Sequence, residues 1–165
     1  MISVYDQNII EFVTVAVQTC LFLEHAQENE RDEFIDKATK LLPLLYLKAR
    51  MVPPMEDEDE GELMRFVAEE DYNYVASGVA ELLGSDDAYL EVFMEDMRYS
   101  DTPVTAFISE NLADIYQELK DMAANYQTEQ ELVMQQAVAQ CLTSFRDHWG
   151  QKTLNALRAL HSLTR

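Results

Sequence analysis

Apolar residues recur every three or four positions along most of this chain, which is the spacing of one face of an α-helix. The first stripe follows Ser3 or Asp6 as a candidate N-cap and consists of Ile9, Val13, Ala16, Val17, Cys20 and Leu21. The second follows Asn29 as a candidate cap and consists of Phe34, Ala38, Leu41, Leu42, Leu45 and Ala49. Pro43 lies inside the second stripe and predicts a kink or a restart, because proline removes a helical hydrogen bond.

The middle of the chain is less regular. A third helix ending at Gly84 as its C-cap is predicted from a stripe of Tyr72, Val75, Val79 and Leu82. Residues 53–62 combine two prolines, a run of acids and Gly61, and predict an exposed, mobile acidic loop. The segment 85–101 is ambiguous. A short helix carrying Tyr89, Phe93 and Met97 fits its pattern, and so does an irregular segment anchored by aromatic side chains.

Two long helices are predicted for the C-terminal third. Thr102-Pro103 is typical of a helix start, and a stripe of apolar residues follows it from Phe107 to Tyr126. Thr128 and Glu131 match a capping box that opens the last helix, whose stripe continues in phase across Gly150. The short connection makes these helices antiparallel neighbours. The sequence therefore predicts an all-α fold, a single domain over residues 1–165 with about five helices and a long C-terminal antiparallel hairpin.

The formal net charge of −19 is concentrated in the middle of the chain. Residues 56–101 contain 16 acidic residues against Arg65 and Arg98. Such a field repels nucleic acid and anionic membrane surfaces, and it favours solubility or cationic partners. We therefore expect no nucleic-acid or membrane partner.

Motifs for several chemistries are missing from the sequence. It has no glycine-rich phosphate loop, no nucleophile elbow and no HExxH zinc motif. A calcium loop over 56–67 would place Val67 where a bidentate glutamate is required. Cys20 and Cys141 fit buried free thiols. No cofactor or metal is expected, and the lack of a signal peptide or a spanning apolar run predicts a cytoplasmic protein.

The last helix carries the candidate chemistry. Phe145, Trp149, Ala156, Leu157 and Leu160 share its core face, and Gly150 would permit a close helix crossing. His148, Lys152 and Asn155 share another face at i, i+4 and i+7, with Gln151 beside them. One interpretation is a solvated polar side. The other is a pocket formed with acids of the neighbouring helix, which are Glu110, Asp114 or Glu118.

Five stretches carry a resemblance to a known family: "LLPLLYLKAR", "YLEVF", "YSDTPV", "SENLADIYQELKD" and especially "HWGQKTLNALRALHSL". They resemble an uncharacterised bacterial helical family, the domain of unknown function 5063, over nearly the whole chain. The resemblance implies a bacterial cytoplasmic helical protein and assigns no catalytic residues.

Two classes of function fit these observations best. The leading hypothesis is a non-catalytic interaction module that binds a protein partner through the acidic middle or through the aromatic segment at 89–99. The alternative is a small-molecule-binding protein or enzyme with a polar pocket around His148, Lys152 and Asn155. A mimic of nucleic acid is a third hypothesis, motivated by the charge of residues 56–101. The sequence sets no oligomeric state.

Overall fold

The computed structural model describes residues 2–56, 62–91 and 104–164. Its α-helices are α1 (Gln7–Glu24), α2 (Arg31–Met51), α3 (Glu69–Leu83), α4 (Ile108–Tyr126), α5 (Glu131–Ser144) and α6 (Gly150–His161). Two short strands, β1 (Ala88–Glu91) and β2 (Val104–Phe107), form an antiparallel pair. The predicted all-α bundle is confirmed, and the two-stranded sheet is an addition that the sequence pattern did not indicate.

Two sequence predictions fall partly on residues outside the described ranges. The proposed acidic loop at 53–62 includes residues 57–61, which are not described, whereas residues 53–56 belong to no helix or strand. Phe93 and Met97 of the ambiguous segment also lie outside the described residues. Its described part is a single 3-10 turn, which ends at Asp87, followed by strand β1.

Helix α4 is the centre of the bundle, because α1, α3, α5 and α6 all pack against it. Its side chains Leu112, Ile115 and Leu119 are completely buried. Each such side chain contributes roughly 1.5–3 kcal/mol through burial. Among the described helices, none combines the length and the apolar composition needed to cross a bilayer.

The last two helices form one continuous helical run antiparallel to α4. Cys141 lies beside the carbonyl of Glu118, and Lys152, further along the run, contacts Asp114, which lies earlier on α4. The long C-terminal hairpin is therefore confirmed. A single turn of π-helix, Phe145–Trp149, joins α5 to α6.

Gly150 permits this π-turn and not a crossing with another helix. Its N–H donates to the carbonyl of Phe145, five residues earlier. A Cβ atom at position 150 would lie 2.5 Å from that carbonyl oxygen and 3.0 Å from the ring of Phe145. Gly150 was expected to permit a close crossing with another helix. It permits instead a close contact with Phe145 of its own helical run.

Several predicted helix ends are corrected. Asp6 is the N-cap of α1, and its carboxylate accepts the N–H of Asn8 at 2.9 Å. Glu30 and not Asn29 precedes α2, which then continues through Pro43 without a restart. Pro43 lies on the exposed side of α2, so its ring does not displace a packed neighbour from another element.

The starts of the two C-terminal helices also differ from the prediction. Residues Val104–Phe107 are a strand because they pair with β1, and α4 begins only at Ile108. The hydroxyl of Thr128 donates to the carbonyl of Asn125 at 2.8 Å, so Thr128 completes the end of α4. The predicted capping box is absent, and Gln130 precedes α5 without a side-chain cap.

Candidate functional site

Two of the predicted site residues, Lys152 and Asp114, form an ion pair between α6 and α4. The second oxygen of the Asp114 carboxylate accepts the hydroxyl of Tyr72, which reaches it from α3, at 2.7 Å. Burial raises the pKa of Tyr72, and its hydrogen bond to Asp114 raises that pKa further. These three side chains, here called the lysine cluster, tie α3, α4 and α6 together.

A second group of polar side chains, here called the amide cluster, joins β1 to the helices. Asn155 on α6 donates to the carboxylate of Glu91 at 2.7 Å and accepts a hydrogen bond from Gln151 at 3.0 Å. The hydroxyl of Tyr89 donates to the other oxygen of Glu91 at 3.3 Å and accepts from the side chain of Asn111 on α4. Burial raises the pKa of Tyr89 to about 12, although the hydrogen bond from Asn111 opposes the shift.

Asp87 fixes the start of the sheet to the start of α4. Its buried carboxylate accepts the main-chain N–H of Ser109 at 2.7 Å and the hydroxyl of Ser109 at 2.6 Å. The N–H groups of the first helical turn have no partner within the helix, and that end carries partial positive charge. Asp87 therefore acts as a cap for α4 supplied from a different segment.

The two remaining predicted site residues lie elsewhere. The side chain of His148 is exposed, and its positive form would lie close enough to Glu118 to lower the pKa of that carboxyl. Glu110 is exposed on the first turn of α4, where its main-chain carbonyl lies 3.5 Å from the hydroxyl of Tyr72. His148, Lys152 and Asn155 therefore do not converge on one pocket, although they share one side of the helical run.

The polar groups of both clusters are engaged with each other. Within the described residues, every buried side-chain nitrogen and oxygen has a hydrogen-bond partner. The same part of the chain contains no group of three histidine, cysteine or acidic side chains placed to hold a metal ion. The amide cluster thus fastens the sheet onto the bundle, and the lysine cluster joins α3, α4 and α6.

The two-stranded sheet is called the hairpin from here on, as distinct from the C-terminal pair of helices. The amide cluster covers one face of this sheet and leaves its other face exposed. Opposed residues of an antiparallel pair project to the same side, so Leu90, Thr105, Ala88 and Phe107 share the outer face. Leu90 is 56% exposed and Phe107 is 39% exposed. Beyond the ladder between the strands, neither strand makes a further main-chain hydrogen bond to the described residues.

Three clefts of ligand size open on the described surface. The first, about 620 Å³, lies between the α1–α2 connection and α3, and its lining includes Glu24, Glu28, Glu70 and Glu81. The second, about 640 Å³, lies between residues 62–65 and the α4–α5 pair. The third, about 530 Å³, lies between the end of α2 and the π-turn. Gln151 lines the third cleft, whereas Lys152 and Asn155 line none of the three.

Glu118 is a partly buried carboxyl of the second cleft. Burial raises its pKa, and a hydrogen bond with Ser144 together with the charges of His148 and Arg65 opposes that rise. Asp121, in the same cleft, is already occupied because it accepts the main-chain N–H groups of Phe66 and Val67 at 2.7 and 3.0 Å. One wall of this cleft is formed by residues 62–65, and the segment that follows them is hydrogen-bonded to Asp121 of α4.

The sequence pattern placed Tyr72 in a core stripe and did not single out Glu91 or Asn111, so these partners of the two clusters were not predicted. One signal was available for Asn111, a polar residue three positions after Ile108 and four before Ile115, which places it on the apolar side of α4. A polar residue in such a position needs a hydrogen-bond partner from another element. No comparable pattern marks Glu91.

Comparison with known proteins agrees with the resemblance noted in the sequence. A family model described as Domain of unknown function (DUF5063) matches residues 3–165. The crystal structure of protein BF1032 from Bacteroides fragilis, a target of the Northeast Structural Genomics Consortium, is similar with a TM-score of 0.87. The two chains are 38% identical, and the match covers 98% of this chain and 95% of that chain. No curated protein matches the chain significantly.

Proposed function

We infer that this chain, which belongs to that family, is a non-catalytic cytoplasmic interaction module that binds a basic protein segment on the outer face of its hairpin. The exposed apolar pair Leu90 and Phe107, on a sheet whose edges make no main-chain hydrogen bond to the described residues, is the observation that carries this proposal. An extended segment of a partner can add to such an edge through main-chain hydrogen bonds, while its side chains contact the exposed apolar residues.

The charge around the hairpin favours a basic partner. Glu110 lies three residues after β2 and is exposed, whereas the exposed Asp86 just before β1 is already paired with Arg31. The 12-residue connection between the strands contains Glu95, Asp96 and Asp101 against Arg98 alone. Opposite charges would accelerate the encounter and exclude acidic competitors, and the effect would weaken as salt screens it.

The enzyme hypothesis receives less support from the same residues. A catalytic lysine or histidine needs a partner within hydrogen-bond reach and room for a substrate. Lys152 and Asn155 have partners in Asp114 and Glu91 but line none of the three clefts, and His148 lies apart from both. The polar side of α6 therefore fits better as the support of the hairpin.

Affinity purification from a bacterium that encodes the protein tests the proposal. The tagged wild-type chain is compared with Leu90→Asp and with the matched control Leu132→Asp, whose leucine on α5 is 85% exposed. Both replaced side chains are exposed, so each variant should stay within about 0.5 kcal/mol of wild-type stability. A basic protein should be retained by wild type and by Leu132→Asp and lost with Leu90→Asp. Identical retained proteins for all three chains would contradict the proposal.

A further inference from the structure

The third cleft differs from the other two in the sign of its charge. We call it the arginine cleft, because Arg50 and Arg146 are the charged residues that line it. The first cleft, by contrast, is lined by four glutamates, and the second by Glu62, Glu118 and Asp121 with one arginine. Among the residues that the structure describes, this opening is lined by two cations and no carboxylate, in a chain with 31 acidic and 12 basic residues.

Both arginines have unused hydrogen-bonding capacity. Arg50 is exposed near the end of α2 and makes no ion pair or hydrogen bond with the described residues. The guanidinium of Arg146 lies 3.7 Å from the neighbouring Asp147, and its side chain is 75% exposed. A guanidinium presents five donors in a planar arrangement that matches the two oxygens of a carboxylate.

The remaining wall of the arginine cleft is mainly apolar. The rings of Tyr46 and Phe145 meet there with their centroids 5.2 Å apart. Apolar side chains complete the lining, among them Val52, Leu142 and Leu154. A volume of about 530 Å³ falls in the range of small-molecule sites.

The π-turn builds this side of the cleft. It inserts one extra residue into the helical run and turns Phe145 toward Tyr46 on α2. The missing side chain of Gly150 lets the ring and carbonyl of Phe145 stay in place, because a Cβ atom there would contact both. Single π-turns inside α-helices are frequent at functional sites, since they cost stability.

We propose that the arginine cleft binds a small organic carboxylate with an aromatic or branched aliphatic body. The carboxylate would contact Arg50 and Arg146, and the body would lie against Tyr46, Phe145 and Leu154. A monoanion fits better than a phosphate dianion, because the net charge of −19 repels the second negative charge as well as the first. This site is separate from the hairpin and does not depend on the proposed partner.

Thermal unfolding with three matched probes tests the site: 4-phenylbutyrate, its neutral amide 4-phenylbutyramide, and the cation 4-phenylbutylamine. A ligand that binds only the native state raises Tm by mass action. At about 10 mM, the carboxylate should raise Tm by about 2–4 °C, the amide by clearly less, and the amine not at all. Equal shifts with the carboxylate and the amide, or no shift with the carboxylate, would overturn the proposal.

Variants assign the effect to the cleft. Arg50→Gln and Arg146→Gln should each weaken the affinity for 4-phenylbutyrate by about tenfold, because a charge-assisted hydrogen bond is lost. Arg158→Gln is the matched control, since Arg158 is an exposed residue of α6 outside the cleft. Leu154→Glu places a carboxylate in the cleft at a side chain that is already 41% exposed, and it should abolish the shift while the chain stays folded.

The control variants distinguish a specific site from a general attraction between charges. If Arg158→Gln weakened binding as much as Arg50→Gln, the carboxylate would be responding to general surface charge, and the cleft would carry no specific site. Leu90→Asp should retain the full shift with 4-phenylbutyrate, so a failure of the hairpin proposal and a failure of the cleft proposal are distinguishable.

Discussion

At the scale of single residues, Trp149 is the largest completely buried side chain of the described structure. Its ring stacks near Phe12 and meets the edge of Phe145, and its N–H donates to the carbonyl of Cys141 at 2.8 Å. This confirms the position that the apolar stripe predicted for it. Trp149→Ala should therefore lower the free energy of unfolding by about 3–5 kcal/mol, measured by urea denaturation with circular dichroism.

Fluorescence provides an independent check of this burial, because Trp149 is the only tryptophan in the chain. Its emission in the folded protein should be blue-shifted and should move to the red on unfolding. A red-shifted emission before unfolding would contradict the buried position.

The polar residues of the last helix should differ in their effect on stability. Lys152→Ala and Asn155→Ala each remove one partner of a part-buried contact and should cost about 0.5–2 kcal/mol. His148→Ala removes an exposed side chain and should cost less than about 0.5 kcal/mol. Urea denaturation of the three single variants measures the difference. Equal losses for all three would argue against this division of roles.

The site was predictable from the sequence only where spacing along one helix carries the information. That spacing placed His148, Lys152 and Asn155 on one side, with Gln151 beside them, and the expected neighbours on α4 included Asp114. The side chain of Tyr72 comes from 80 positions before Lys152 and that of Glu91 from 64 positions before Asn155. A pattern within one helix contains no information about which distant segment folds over it.

At the scale of elements, replacing each of two helical glycines with alanine should change stability in opposite directions. Gly78 lies within α3, where a Cβ atom would make an ordinary contact of 3.7 Å with Gln27, so Gly78→Ala should stabilise by about 0.5–1 kcal/mol. Gly150→Ala would place its Cβ atom 2.5 Å from the carbonyl of Phe145. It should destabilise by about 1–3 kcal/mol in spite of the higher helix propensity of alanine. Thermal unfolding of both variants is the test, and stabilisation by both would exclude the π-turn.

The connection between the hairpin and α4 depends on Asp87. Asp87→Ala removes the carboxylate that accepts both the N–H and the hydroxyl of Ser109, and it should cost about 1–2 kcal/mol. Hydrogen exchange should show the largest acceleration in β1, β2 and the first turn of α4. Acceleration spread evenly over all helices would indicate that Asp87 has no local role.

Whole helices were predictable where a long apolar stripe outweighs local signals. The stripes gave α1, α2, α4 and the final helical run, because burying a continuous face dominates their energy. Short signals failed where a tertiary contact competes with them. Thr102-Pro103 is a sound helix start, but pairing with β1 extends the residues that follow it, and Asp87 caps α4 further along.

At the scale of the whole molecule, the excess of negative charge should lower stability through self-repulsion. Salt screens exposed charges, with a Debye length that falls from about 30 Å at 0.01 M to about 10 Å at 0.1 M. The Tm should therefore rise as sodium chloride is increased over this range. Potassium chloride serves as the control, since screening does not depend on the cation. A falling Tm would mean that ion pairs such as Lys120–Glu24 outweigh the repulsion.

Stability should also fall at alkaline pH. Burial raises the pKa of Cys20 to about 12 and raises that of Cys141 as well, while Tyr89 reaches about 12. The unfolded chain releases these protons near the ordinary values, about 8.5 for thiols and 10 for phenols, whereas the native state retains them. These raised pKa values stabilise the native state fully below about pH 8.5, and this stabilisation is lost as the pH rises toward about 12. The urea midpoint should therefore fall between about pH 8.5 and 10.5; an unchanged midpoint would contradict this burial.

Photo-crosslinking at the outer face of the hairpin tests the proposed function most directly. The photoreactive residue p-benzoylphenylalanine replaces Phe107, whose ring is partly exposed, and in a matched chain it replaces the exposed Leu132 of α5. Irradiation of living cells should give a discrete adduct with a basic protein at position 107 and none at position 132. The same adducts at both positions, or an adduct of position 107 only with a second copy of this chain, would contradict the binding of a basic partner at the hairpin.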